Sequence, residues 1–163
     1  MNPPEHGAEG ILSHLKPMGR ARGQANFRVD EDVMLASAYV VVTTNAAVGT
    51  DQNGSTFWEK IRANFVQRGG NAGRNACSLQ NRFNKVLQTE VNKYIGIMMS
   101  TLREYHSGWV LDDYVMDAKR RFLLKFTKPF KHEMVYNILK KSLPKYDITI
   151  TAIDSRVKRA LFF

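Results

Sequence analysis

The chain has 163 residues, 44% of them hydrophobic and nine of them Phe, enough for one domain with its own core or a small domain with a helical extension. Its formal net charge of +9 favours a polyanionic partner, nucleic acid ahead of an anionic membrane, although a basic housekeeping protein could share that composition. A lone Cys77 excludes a disulfide framework or thiolate zinc site within one chain and points to a reducing compartment, while the absence of any run of about 20 apolar residues excludes a membrane-spanning helix.

Residues 1–26 contain Pro3, Pro4 and Pro17 with acids at Glu5 and Glu9 and no apolar centre, so they are not a signal peptide. They are expected to form a disordered arm ending in the basic Gly19-Arg-Ala-Arg-Gly23, which suits a phosphate backbone or a minor groove, or serves solubility alone. A first helix is expected from about Asp30. Asp30, Glu31 and Asp32 crowd its first turn, where the helix dipole favours negative charge, and Val33, Leu35, Ala36, Tyr39, Val40 and Thr43 form its inward stripe. Val48-Gly-Thr-Asp-Gln-Asn-Gly-Ser55 reads as a loop. Thr56-x-x-Glu59 then has the capping-box pattern for a second helix that turns Phe57, Trp58, Ile61 and Phe65 inward.

Gln67-Arg-Gly-Gly-Asn-Ala-Gly-Arg-Asn75 is rich in glycine. It lacks Gly-Lys-Ser/Thr and follows no strand, so it is not a P-loop but a turn into a third helix, with Asn75 as N-cap. Arg68 and Arg74 flank that helix start, where backbone amides also favour phosphate. At 100° per residue Leu79, Phe83, Val86, Leu87, Tyr94, Ile97 and Met98 share one side of the third helix, which is expected to run to about Tyr105. Ser78, Asn81, Lys85, Gln88 and Asn92 fall opposite. A solvated helix face usually mixes Glu with Lys; this one carries amides, a hydroxyl and an ammonium and no carboxylate. Amides pair with adenine edges in a major groove, and Lys reaches guanine or phosphate. The bland reading, an amide-rich face that touches nothing, stands beside that one. From Lys60 to Lys93 the bases are Lys60, Arg62, Arg68, Arg74, Arg82, Lys85 and Lys93, with Glu90 the only acid.

Ser107-Gly108 breaks the third helix. A fourth is expected over about Leu111 to Phe126, with Leu111, Val115, Ala118, Phe122 and Phe126 inward, and a fifth over about Lys131 to Leu143. Their basic residues read as a solvated face rather than a second nucleic-acid contact. The tail from Tyr146 alternates like a short strand through Ile148, Ile150 and Ala152.

Three helices, each with one large aromatic (Tyr39, Trp58, Phe83), have the pattern of Myb/SANT-like domains, and the long loop before the third helix resembles the plant trihelix variety. Val48 to Trp58, Ser78-Leu-Gln-Asn-Arg-Phe83 and Lys128-Pro-Phe-Lys-His132 together resemble the plant and oomycete Myb/SANT-like proteins related to Harbinger transposon accessory proteins, over about residues 23 to 146. The resemblance implies a helix-turn-helix unit whose third helix enters the major groove, with Gln80, Asn81, Asn84 and Lys85 reading bases. Asn81 and Lys85 also follow from the helical wheel; Gln80 and Asn84 rest on the resemblance. Lys60, Arg62, Arg68, Arg74, Ser78, Arg82 and Gln88 form the expected phosphate set. The departures are Tyr39 and Phe83 in place of tryptophans, and Val29 where a capping Thr is usual, with Asp30 the expected substitute cap.

The expected organisation is all-α. It comprises an arm over 1–26, a three-helix Myb/SANT-like domain over 27–106 with an elongated third helix, two further helices over 107–146 and a tail over 147–163. The expected function is nuclear, non-enzymatic binding of double-stranded DNA, as a transcription regulator or a transposon-derived accessory factor, without cofactor or metal. A homodimer or a separate protein partner would dock through the long third helix and helices four and five. The other reading is a SANT-type protein-interaction module of a chromatin complex; relatives of that kind tend to carry an acidic third-helix face.

Overall fold

A computed structural model of the chain describes residues 26–46 and 54–148. Its five helices are α1 (Val29–Ala46), α2 (Gly54–Gln67), α3 (76–103), α4 (Leu111–Phe126) and α5 (Glu133–Ser142), followed by a 3₁₀ turn at Pro144–Tyr146. There is no strand among the described residues. The arm through residue 25, the loop over 47–53 with its Gly-Thr-Asp-Gln motif, and the tail beyond Ile148 lie outside them. The strand expected from Tyr146 therefore meets the described residues only at its start, where Tyr146 closes a 3₁₀ turn instead.

Leu35, Ala36, Ala38 and Val42 of α1, Trp58, Ile61 and Phe65 of α2 and Leu79, Phe83 and Leu87 of α3 are buried in one core. Tyr39 stacks on Phe83 with ring centroids 4.0 Å apart, and Trp58 lies 6.1 and 6.0 Å from the two rings. Tyr39 is half-buried, so it lids the cluster rather than filling it. Gly70 crosses the ring of Phe65 so closely that a Cβ there would sit 2.4 Å from a ring carbon, and Gly69 holds φ +93. Those two glycines let the chain reverse between α2 and α3. Asn75 caps α3, its side-chain oxygen accepting the Ser78 N–H at 2.7 Å.

The long α3 is continuous but not uniform: Ala76–Arg82 and Gln88–Arg103 are α-helical and Phe83–Leu87 is π-helical. The physical reason lies in the core spacing. Leu79, Phe83, Leu87 and Val91 are all fully buried, each four residues after the last. In a regular helix each such step rotates the side chain by about 40°, and three steps would carry Val91 off the core. The wider turn, in which the Gln88 N–H reaches back to the Phe83 carbonyl, absorbs that drift.

The second half of α3 packs on α4, and α5 returns to pack on α1. Tyr94 stacks on Phe130 at 4.3 Å and meets Phe122 and Tyr136, so the Lys128–His132 segment is anchored in the core by its phenylalanine. Burial pushes the Tyr94 and Tyr136 hydroxyls up to about 12. Tyr114, Ala118 and Phe122 form the buried stripe of α4, whereas Leu111, expected inside, is exposed and Val115 and Phe126 are half-buried. The α2 capping box does not form at Thr56, because the helix already begins at Gly54 and places Thr56 inside the first turn. At the start of α1 the Glu31 carboxylate, inside the first turn, reaches back to accept the Arg28 backbone N–H at 3.0 Å; Asp30, the expected cap, also lies inside the helix and pairs with the Arg28 side chain.

Candidate nucleic-acid interface

Gln80, Asn81, Asn84 and Lys85 are all exposed on the first turns of α3, opposite buried Leu79, Phe83 and Leu87. Gln80, placed nearer the core by the regular wheel, points to solvent with the other three. Cys77, Thr89 and Asn92 extend the same exposed face, and the Asn81 amide donates to Cys77 Sγ at 3.5 Å. No carboxylate lies on this face: Glu90, the only acid of α3, is buried and shared by Lys93 at 3.0 Å and Lys128 at 3.2 Å. Burial pushes the Glu90 carboxyl up, but hydrogen bonds from the two lysines outweigh that and hold it below the usual carboxylate range.

The expected phosphate set divides. Lys60 and Arg68 are exposed and make no ion pair among the described residues; Arg68 donates to the Asn64 side chain at 2.7 Å. Arg62 is half-buried and serves the glycine-rich loop, donating to the carbonyls of Arg74 at 2.8 Å and Ala72 at 3.1 Å. Ser78 is half-buried in the first turn, where its N–H meets the Asn75 cap. Gln88 is half-buried and donates to the Tyr146 hydroxyl at 3.2 Å, tying α3 to the 3₁₀ turn rather than facing solvent with Asn81 and Lys85.

Arg74 and Arg82 are corrections. Arg74 is 3% exposed and grips Glu31 through Nε and Nη2 at 3.2 and 3.1 Å, with its guanidinium 3.9 Å over the Phe27 ring. The Arg74 hydrogen bond is the main cause holding the Glu31 carboxyl below its usual range. Arg82 makes a two-pronged pair with Asp32 at 2.8 and 2.7 Å, and His132 Nδ1 lies 3.9 Å from the same carboxylate. Burial pulls the His132 pKa down. These arginines therefore bolt α3 and its preceding loop to α1 and are not spare cations for phosphate.

The acids of α1 are correspondingly more than a dipole complement. Glu31 and Asp32 are each 3% exposed, and the charge asymmetry between α1 and α3 is largely cancelled inside the fold. Nothing in the sequence pairs residues 43 and 50 positions apart. A hint was available only in the acids themselves, since three carboxylates in one turn exceed what a helix terminus needs. Lys60, Arg62, Arg68 and Lys85 are the basic residues of the expected interface without an ion pair among the described residues. Comparison with protein-family models, with curated proteins and with solved structures gives no match to this chain.

Proposed function

We propose that this chain is a nuclear double-stranded-DNA-binding protein of Myb/SANT-like type, in which α3 lies in the major groove. It acts as a transcription regulator or a transposon-derived accessory factor. The observation that carries this reading is the exposed face of Gln80, Asn81, Asn84 and Lys85, four groups that can hydrogen-bond base edges, on a helix held rigid by its opposite side. Lys60 and Arg68, both exposed, supply phosphate contacts. The resemblance of Ser78–Phe83 and Lys128–His132 to transposon-related Myb/SANT-like proteins supports the same reading.

A second reading, a protein-interaction module, is favoured by one observation: Arg74 and Arg82 leave the electrostatic footprint, which reduces the nonspecific attraction to DNA. Selection from a pool of random duplexes at two salt concentrations separates the two. A short recovered motif, bound more weakly as salt rises, is the expected result. No retention at low salt would remove the DNA reading.

A further inference from the structure

The π-helical turn of α3 changes which residue completes its exposed face. In a regular helix Gln88 would stand about 40° round from Asn84 and Thr89 about 140°, so Gln88 would close the face and Thr89 would leave it. The turn over Phe83–Leu87 takes in one residue more, and the structure reverses the two. Gln88 is half-buried and donates to the Tyr146 hydroxyl at 3.2 Å. Thr89 is exposed, and its hydroxyl donates to the Asn84 carbonyl at 3.0 Å, five residues back. That bond seats Thr89 one turn beyond Asn84 on the same face.

The same bond decides what Thr89 can offer a ligand. Its hydroxyl proton is committed to the backbone, so it has none to donate to a base, and its methyl is the apolar group it brings to the face. Gln80, Asn81, Asn84 and Lys85 are polar and suit the donor and acceptor atoms of base edges. None of the four matches the apolar feature of the major groove, the thymine C5-methyl, which a threonine methyl does match. Three amides suited to adenine also imply A·T pairs, and each such pair presents a thymine methyl in that groove.

We propose that Thr89 is a fifth reading residue of α3 and packs its methyl on a thymine C5-methyl at the end of the site away from Gln80. This inference rests on the DNA reading above. From Gln80 to Thr89 the helix rises about 13 Å, roughly four base-pair steps, so the thymine lies at one edge of a short motif. The group recognised is a pyrimidine C5-methyl, which 5-methylcytosine shares; the neighbouring amides favour an A·T-rich setting and therefore thymine.

The test uses the full chain and a duplex selected from a random pool. Each thymine of the motif is replaced in turn by uracil, which lacks only the methyl. The wild type should lose affinity on the order of fourfold at one edge position. Thr89→Ser keeps the hydroxyl bond and removes the methyl. It should bind the thymine duplex weaker by the same factor, show no further loss on the uracil duplex, and unfold at the wild-type urea midpoint. Thr89→Val keeps a methyl and should still distinguish thymine from uracil, as should Gln88→Ala. With 5-methylcytosine paired to guanine at that position, binding should be weaker than with thymine. A Thr89→Ser variant that distinguishes thymine from uracil as the wild type does overturns the proposal and leaves the DNA reading standing. So does a motif without a methyl-sensitive thymine, or tighter binding of the 5-methylcytosine duplex. A chain that retains no duplex at low salt overturns both.

Discussion

Replacing Arg74 with Met should destabilise the fold before it alters any contact with DNA. The guanidinium donates to both Glu31 oxygens and, at 3.3 Å, to the Asn26 carbonyl. Its loss leaves the Glu31 carboxylate buried, with the Arg28 backbone N–H still bound at 3.0 Å. Removing one partner of a buried pair costs about 3–5 kcal/mol. The surviving N–H bond places this case near the lower end, about 3 kcal/mol. That is a large share of a domain stability of about 5–15 kcal/mol. The double variant Glu31→Leu/Arg74→Met exchanges the pair for apolar groups and should recover most of the loss. Urea unfolding of both single variants and the double, followed by circular dichroism and by fluorescence of buried Trp58, measures the coupling directly. A singly substituted protein as stable as wild type, with all duplexes bound more weakly and the salt slope reduced by about one, would refute the ion-pair assignment and return Arg74 to the phosphate backbone.

Other consequences follow from the same geometry. Phe83→Ala removes the ring stacked on Tyr39 and should cost about 3–5 kcal/mol in the same urea assay; a fully stable variant would contradict its place in the core. Cys77, exposed one turn before Asn81, should react readily with a maleimide in the free protein and be protected by saturating duplex; equal rates would mean that this face of α3 is not covered. Acid should unfold the chain in two stages. His132 is depressed in the fold, so its contribution is present above its ordinary pKa and is lost as pH falls through the lowered value, a shallow loss in the weakly acidic range. The carboxyls of Glu31, Glu90 and Asp117 are also held low, so their stabilisation is present above the ordinary carboxylate range and disappears as pH falls below about 4. The urea midpoint against pH should show both. His132→Gln should flatten the first stage alone, and a midpoint unchanged down to pH about 3 would show that these carboxylates contribute nothing.

The helices were legible because their apolar residues repeat at helical spacing: Trp58, Ile61 and Phe65 in α2, or Val135 and Leu139 in α5, have few other ways to reach a common core. The exposure of Asn81 and Lys85 followed from the same period. The period failed where α3 is not a regular helix. Its π-helical turn brings Leu87 and Val91 into line with Phe83, and Gln88 turns toward Tyr146 instead of the outer face. Charge was less legible than apolarity. An exposed Lys85 and a buried Arg74 contribute alike to composition; only the three-dimensional approach of α1 separates them. Tyr39, Trp58 and Phe83, one large aromatic from each of the first three helices, do meet in one cluster, which their helical spacing alone made legible.

The central claim, that the exposed face of α3 reads DNA, is tested most directly with Asn81→Ala and Lys85→Ala. Each variant's affinity for a selected duplex and for a scrambled one is measured beside its urea midpoint. The account predicts a loss of about 1–3 kcal/mol on the selected duplex for each, little change on the scrambled duplex for Asn81→Ala, and unfolding midpoints equal to wild type. Variants that fold and bind the selected duplex as tightly as the wild type would contradict it.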